Sequence, residues 1–345
     1  MNRLISQLVC LSLALATASS GQVSQGVAAP DHPVSQRKAS PRQPAALEVT
    51  SSKITTVPAF SFYGPVQCDG KGSMFFRPAY AKDDDVAIFK LAQPDESNSR
   101  MFRLSPELSH ANALFGFAVS PAGALYLLTQ DQEDVFHVFT FDSDGEVKSD
   151  AKLDTPDHLY PYSLTVLVNE TLLLAGHYLR DAPENLRGKG YAALFDSSGK
   201  LLRDLTSKFS SEHTASDLGA AFKHIAISSA PDGNLYLLKA DAVLVISQTG
   251  EVIRRLRFTV PDPKDEAFDL AVADGLVSIE LEQPVLGKGL QPKYLVLDAM
   301  TGSEYGYFAR PDATGGLSGC FTREAGFTFL DHEKNHLRLV TAGLR

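Results

Sequence analysis

Along most of the chain, short apolar runs alternate with polar turns that end in glycine. Four times an apolar strand runs into such a turn: Phe-Asp-Ser-Asp-Gly145, Phe-Asp-Ser-Ser-Gly199, Ile-Ser-Gln-Thr-Gly250 and Leu-Asp-Ala-Met-Thr-Gly302. The glycines recur at intervals of 54, 51 and 52 residues. Glycine accepts the positive φ that tight hairpin connections need. The segments that follow alternate apolar and polar residues, as in the stretch from Glu251 to Phe258, and predict half-exposed strands. A second turn recurs upstream: Ser120-Pro-Ala-Gly123 precedes a Leu-Tyr-Leu-Leu run ending at Leu128, and Pro231-Asp-Gly233 precedes one ending at Leu238. Weaker versions end at Gly72, Gly275 and Gly326, and Asn169-Glu170 replaces the glycine once. The Leu-Tyr-Leu-Leu runs have no polar face, so they predict strands buried on both sides.

The repeating unit is therefore strand, glycine turn, buried strand, variable loop, strand, glycine turn, outer strand. Six such units begin near Pro65, Phe115, Tyr162, Lys223, Ala267 and Leu317. Helical periodicity is confined to a short stretch at 215–222. An isolated four-stranded sheet cannot bury both faces, whereas radial stacking buries them and closure protects the edges. The pattern predicts an all-β fold: a six-bladed β-propeller of four-stranded antiparallel blades. Spacings above 50 residues over this length fit six blades, against the ~40–45 residues of WD40-type repeats. The last unit has three clear strands, and the N-terminal stretch 54–62 is expected to supply its fourth and close the ring. A double β-sandwich is the alternative, but it does not explain a periodic turn.

The run Pro-Asp-Gly-Asn-Leu-Tyr-Leu-Leu238, followed by Val-Leu-Val-Ile-Ser-Gln-Thr-Gly250-Glu-Val, resembles a blade of the six-bladed propellers of the NHL and TolB-like class. The resemblance is good over 224–258, fair over 115–153 and architectural elsewhere. Members of that class bind proteins, RNA or glycans, and some are hydrolases or lyases. The resemblance implies a fold and no single function.

The ends and the charge narrow the setting. Asn2 and Arg3 precede an apolar run at 4–16 with small residues after it, which predicts a signal peptide over 1–21 and export to the periplasm or beyond. An uncleaved N-terminal anchor is the competing reading, and no later stretch has the ~18 apolar residues of a membrane span. Residues 22–46, with Pro30, Pro33, Pro41 and Pro44 among Ser, Gln and Ala, predict a disordered tether ahead of a domain at 47–345. A net charge of −9 disfavours nucleic acid as a partner. Without the leader two cysteines remain, Cys68 and Cys320, either bridged or as two buried thiols. Ring closure would make their strands neighbours, so the pair is the disulfide candidate.

No motif names a reaction. Gly-x-Ser-x-Gly, a phosphate loop and Cys-x-x-Cys are all missing from the sequence. The consecutive Asp83, Asp84 and Asp85 read as a solvated turn rather than a calcium loop. Histidines are more informative: seven of the nine fall in connections that a propeller gathers on one face, the inter-blade loops and the loops between second and third strands. His158, Tyr162, His213, His224 and Asp269 are the ligand-binding candidates there. Imidazoles beside carboxylates can also hold a metal or serve as acid and base. However, only His224 and Asp269 sit at the starts of first strands, where propeller lyases and lactonases place metal ligands. No metal or cofactor is therefore assigned. The two functional expectations are a binding or scaffold module for a protein, peptide or glycan, and a metal-assisted lyase or hydrolase at the channel mouth.

Overall fold

The structure is a computed structural model that describes residues 41–344 except 59–61, 79–86, 94, 105–112, 143, 207–225, 284–291, 312–318, 323 and 325. The helix expected at 215–222 and the aspartates at 83–85 lie outside the described residues. The described chain opens with β1 (Ala45–Ala46) and β2 (Glu48–Pro58). Blade one then comprises β3 (Phe62–Cys68), β4 (Met74–Pro78), β5 (Ala87–Leu91) and β6 (Arg100–Arg103). Blade two is β7 (Ala113–Val119), β8 (Leu125–Gln130), β9 (Phe136–Phe141) and β10 (Val147–Lys152), and blade three is β11 (Leu159–Val166), β12 (Leu172–Tyr178), β13 (Gly190–Phe195) and β14 (Leu201–Asp204). Blade four follows as β15 (Ile227–Ser229), β16 (Leu235–Leu238), β17 (Ala242–Ile246) and β18 (Val252–Arg257). Blade five is β19 (Glu266–Ala273), β20 (Leu276–Glu282), β21 (Lys293–Asp298) and β22 (Glu304–Ala309), and blade six carries β23 (Cys320–Thr322), β24 (Gly326–Glu333) and β25 (His336–Gly343).

Within each blade the strands pair antiparallel in chain order, and β2 completes blade six by pairing with β25. First strands touch one another in the order β3, β7, β11, β15, β19, β23 and back to β3, so they line the axis of a closed ring. The fold is the six-bladed propeller read from the repeat.

The apolar runs explain the stacking. Along β16, Leu235 and Leu237 enter the core between blades three and four, while Tyr236 and Leu238 enter the one between blades four and five. In β8, Leu125 and Leu127 face blade one while Tyr126 and Leu128 face blade three. Strand side chains alternate faces, so a run with no polar member is what a sheet packed on both sides requires. Outer strands are mostly exposed, as in β10 and β18.

The glycine turns do more than reverse the chain. Gly199, at φ 88°, is packed so closely on the Lys152 carbonyl of blade two that a Cβ would overlap it. Its own carbonyl accepts from Asp154 N–H at 2.9 Å. Turns between third and fourth strands in blades two, four and five also lie on the preceding blade. Gly145 rests against Met101 and Phe102, Gly250 against the Leu205 and Arg203 side chains, and Gly302 against Leu256. The polar residue that opens such a turn holds its backbone in place: the Asp142 and Asp196 Oδ1 atoms each accept from backbone N–H groups two and four residues on. In the turn between its first and second strands blade three lacks a glycine, and Glu170 itself adopts φ 63°.

At the seam the pattern is kept by different means. Blade one meets the outer strand of blade six through Glu96, on a short 3-10 turn (Glu96–Asn98), which accepts from Thr56 N–H at 2.8 Å and ion-pairs with Lys53 at 2.6 Å. Blade six has no third-to-fourth turn to lay on blade five, because its fourth strand comes from the other end of the chain. Instead Ala45 and Ala46 pair in parallel with Phe308 and Ala309, and Leu47 is buried beside them. Residues 41–46, which composition places at the end of the tether, thus pack on blade five, with Arg42 ion-paired to Glu304 at 2.5 Å. Their backbone finds partners on the exposed edge of β22, which outweighs a polar composition. Inside the seam Cys68 and Cys320 are disulfide-bonded, Cα–Cα 5.6 Å, on neighbouring first strands.

Candidate functional site

Connections between blades and between second and third strands open on one side of the ring. Of the candidates there, His213 and His224 lie outside the described residues. The other three fall on first strands or just before them, around the mouth of the axis.

His158 precedes β11 in the left-handed region, φ 59°, an uncommon conformation for a residue with a side chain. Its carbonyl accepts from Leu179 N–H at 2.8 Å, and its Nδ1 lies 3.1 Å from Asp181 Oδ2. Both side chains are exposed, so the pair contributes little to stability and stays open to a ligand. Tyr162 is more enclosed. Its ring packs against the core between blades three and four, and burial pushes its phenol well above the ordinary value. Asp269 is exposed on β19, and its Oδ1 accepts from Leu270 N–H at 2.7 Å.

Three first strands share an irregularity at this mouth. The pairing of β7 with β8 shifts between Leu114 and Gly116, that of β11 with β12 between Pro161 and Ser163, and that of β19 with β20 between Ala267 and Asp269. Each shift leaves one extra residue, and all three are aromatic: Phe115, Tyr162 and Phe268. Bulges bend a strand and re-aim a side chain, and they concentrate at rims and beside sites. The signal was present in the sequence, since an aromatic stands eight residues before the turn position at Gly123 and Glu170 and seven before Gly275.

Phe115 and Tyr162 join a larger cluster. Tyr160 meets the Phe115 ring edge-on, centroids 5.6 Å apart, and lies 5.4 Å from the imidazole of His177, its cross-strand partner. Tyr162 also stacks on His177, at 6.1 Å, and Phe136 braces Phe115 at 5.4 Å. Burial lowers the His177 pKa, so the ring is neutral at neutral pH and suited to stacking. Tyr160 keeps 45% of its surface exposed. It is a fixed ring held between two others and open to solvent. Tyr160 and His177 were not among the ligand candidates named from sequence.

Blade five, opposite blade two in a six-membered ring, contributes carboxylates. Glu266 pairs across the strand with Glu282, and Asp269 with Glu280. Burial raises the Glu282 carboxyl, and a hydrogen bond with Glu280 offsets part of that. Among the described residues no group of three or more His, Cys, Asp or Glu side chains is arranged to hold a metal ion.

Asp262 and Asp265, acidic residues of the same face, have structural partners. Asp265 is fully buried, lies 2.9 and 3.0 Å from Lys293 Nζ, and accepts from the Tyr307 hydroxyl at 3.1 Å. Burial and this carboxylate push the Tyr307 phenol up to about 12. Asp262 lies 3.6 Å from the same ammonium and accepts from Gln283. The network ties the connection at 258–265 to blade five. No described helix is long and apolar enough to cross a membrane.

No family model and no curated protein sequence matches the chain. Solved structures with a similar chain course include a gluconolactonase from Xanthomonas campestris, at 14% identity over 88% of this chain and 98% of that one, TM-score 0.46. The β-propeller domain of the trilobed protease from Pyrococcus furiosus is similar at 14% identity over 82% of each chain, TM-score 0.42. A protein of unknown function from Bacteroides caccae is similar at 12% identity over 72% of this chain and 82% of that one, TM-score 0.42. Likeness at these levels carries no argument about activity.

Proposed function

We propose that the protein is an exported propeller of the NHL and TolB-like class. It acts as a binding or scaffold module for a protein, peptide or glycan, held on the face of the inter-blade loops. The observation that carries this reading is the set of bulges that turn Phe115, Tyr162 and Phe268 out of register at one end of the axis. Bulges concentrate at rims and beside sites, and of the three aromatics Phe268 stands exposed while Phe115 and Tyr162 are partly buried against the inter-blade cores. The exposed His158–Asp181 pair and Asp269 add polar groups beside them. The metal-assisted reading has no comparable support among the described residues.

Two measurements test the proposal. Fractionation of expressing cells, with N-terminal sequencing of the processed chain, is expected to find it outside the cytoplasm and shortened near residue 22. Arrays of peptides and oligosaccharides probed with wild type, His158→Ala and Asp269→Ala should give binding that both substitutions weaken while the melting temperature holds. Binding that both leave intact, or that maps to the short turns around Gly72 and Gly275, refutes the binding face. Cytoplasmic retention with an intact N-terminus refutes export.

A further inference from the structure

Blade five shows what an outer edge of this ring accepts. Ala45 and Ala46 add to β22 as a parallel fifth strand, Arg42 matches Glu304 on that edge, and Leu47 enters the core between blades five and six. The outer strands of the other blades deter such an addition to different degrees. Lys148, Asp150 and Lys152 put charge along β10, β6 and β14 are four residues each, and the pairing of β2 shifts twice. β18 is six residues, Val-Ile-Arg-Arg-Leu-Arg, and no strand lies beyond it among the described residues. Its Val252 and Ile253 are roughly half exposed, and β-branched residues on an open edge favour pairing.

Three arginines stand on this one strand in a chain of net charge −9. Arg254 donates to the Ala299 carbonyl of blade five at 2.6 Å, and Arg255 faces Asp241 at 3.4 Å. Arg257 is exposed and meets no carboxylate among the described residues. It lines a cavity of about 370 Å³ between blades four and five, where Leu295, Leu297 and Phe258 supply apolar surface. The acids of that cavity are already matched, Asp241 by Arg255 and Glu304 by Arg42. An open strand edge, an apolar cavity and an unmatched guanidinium therefore stand side by side.

We propose that the outer edge of blade four binds an extended acidic segment of a partner protein by strand addition. A carboxylate of that segment meets Arg257, and an aliphatic side chain enters the cavity. In strand addition main-chain bonds give affinity, while pockets for alternate side chains choose the sequence. The planar fork of arginine suits a carboxylate, and a basic segment would meet β18 as like charge. This is a second site, on the wall of the ring, and it goes beyond the face proposed above.

The test is anisotropy titration with a fluorescein-labelled octapeptide that alternates valine and glutamate. One counterpart carries lysine for glutamate, and another carries proline at two valine positions, which removes backbone donors. The glutamate peptide should bind, and both counterparts should bind at least about tenfold more weakly. Arg257→Glu should weaken the glutamate peptide by about tenfold or more. Lys148→Glu, on the exposed outer strand of blade two, should leave it unchanged, as should His158→Ala and Asp269→Ala at the mouth. Unchanged melting temperatures separate loss of the site from loss of the fold. No binding, equal binding of the lysine or proline peptide, or indifference to Arg257→Glu overturns the proposal. Loss with His158→Ala and Asp269→Ala instead puts the peptide at the mouth, which overturns this site and keeps the face.

Discussion

The Glu96 carboxylate of blade one accepts a hydrogen bond from the backbone N–H of Thr56 at 2.8 Å, across the seam where the two ends of the chain meet. A second bond, from the Thr56 hydroxyl at 3.0 Å, falls on the same oxygen, and Lys53 faces the other. Elsewhere in the ring a glycine turn packs on the preceding blade. At the seam a nearly buried acid does that work, because the strand it meets belongs to the far end of the chain.

Replacing Glu96 should therefore loosen closure. Burial alone would raise its pKa, but Lys53 and Thr56 more than offset this, and the folded value lies below the ordinary one. A depressed carboxyl contributes stability above its unfolded pKa and loses it as pH falls through the folded value. Glu96→Gln should lower stability by about 1.5–3 kcal/mol at neutral pH, mostly through the charged hydrogen bonds, since Lys53 is half exposed. Urea titrations across pH should show the gap between variant and wild type closing below about pH 4. A gap that persists or widens in acid would refute the assignment.

The strand of blade six that comes from the N-terminal side should be indispensable. Deleting residues 47–58 removes β2 and the buried Leu47, leaving β25 as an open edge. Calorimetry should then show loss of the single cooperative transition, together with aggregation. Leu47→Ala alone should cost about 2–4 kcal/mol. A melting temperature equal to wild type after the deletion would rule out closure by this strand.

The bridge between Cys68 and Cys320 ties residues 252 apart in sequence. A chain begun at residue 41 contains no other cysteine, so it should show no titratable thiol when denatured without reductant. Cys68→Ser with Cys320→Ser should lower stability by about 2–4 kcal/mol. Two reactive thiols in the unreduced chain would exclude the bond.

Gly199 and Glu170 make a matched pair. Gly199→Ala must hold a side chain at φ 88° against the Lys152 carbonyl and should cost at least about 2 kcal/mol. Glu170→Gly relieves a left-handed conformation at an exposed turn and should stabilise by about 0.5–1 kcal/mol. Chemical denaturation of both variants checks the signs, and equal effects would show that the turns are not conformationally selected.

Local rules made the blades legible. Leu235 to Leu238 alternates into two cores, and that needs only strand period and apolar side chains. Turn positions at Gly145, Gly199, Gly250 and Gly302 follow from positive φ, a property of single residues. Six blades then follow from spacing, because each unit buries its faces only against its neighbours. Closure by an N-terminal strand was legible too, since a three-stranded last unit leaves an edge to be paired. The strand runs over Glu48–Pro58 rather than 54–62, however, and Phe62 already belongs to blade one. The candidate site was legible in part. His158, Tyr162 and Asp269 do fall around the mouth of the axis, but which of them stays open was hidden. Tyr162 and Tyr160 stand two residues apart in the same aromatic-rich strand, and one packs between blades while the other keeps nearly half its surface. That difference arises from a one-residue shift in pairing with β12 and from rings on another blade, which no local pattern encodes. The same holds for Glu96 and Thr56, for the two alanines that extend blade five, and for Asp265, buried against Lys293 and Tyr307. Sequence determined what each segment prefers over about fifty residues. Only the closed ring decided which distant segments meet, because burial and pairing across blades are settled by contacts between parts of the chain with no local cause to coincide.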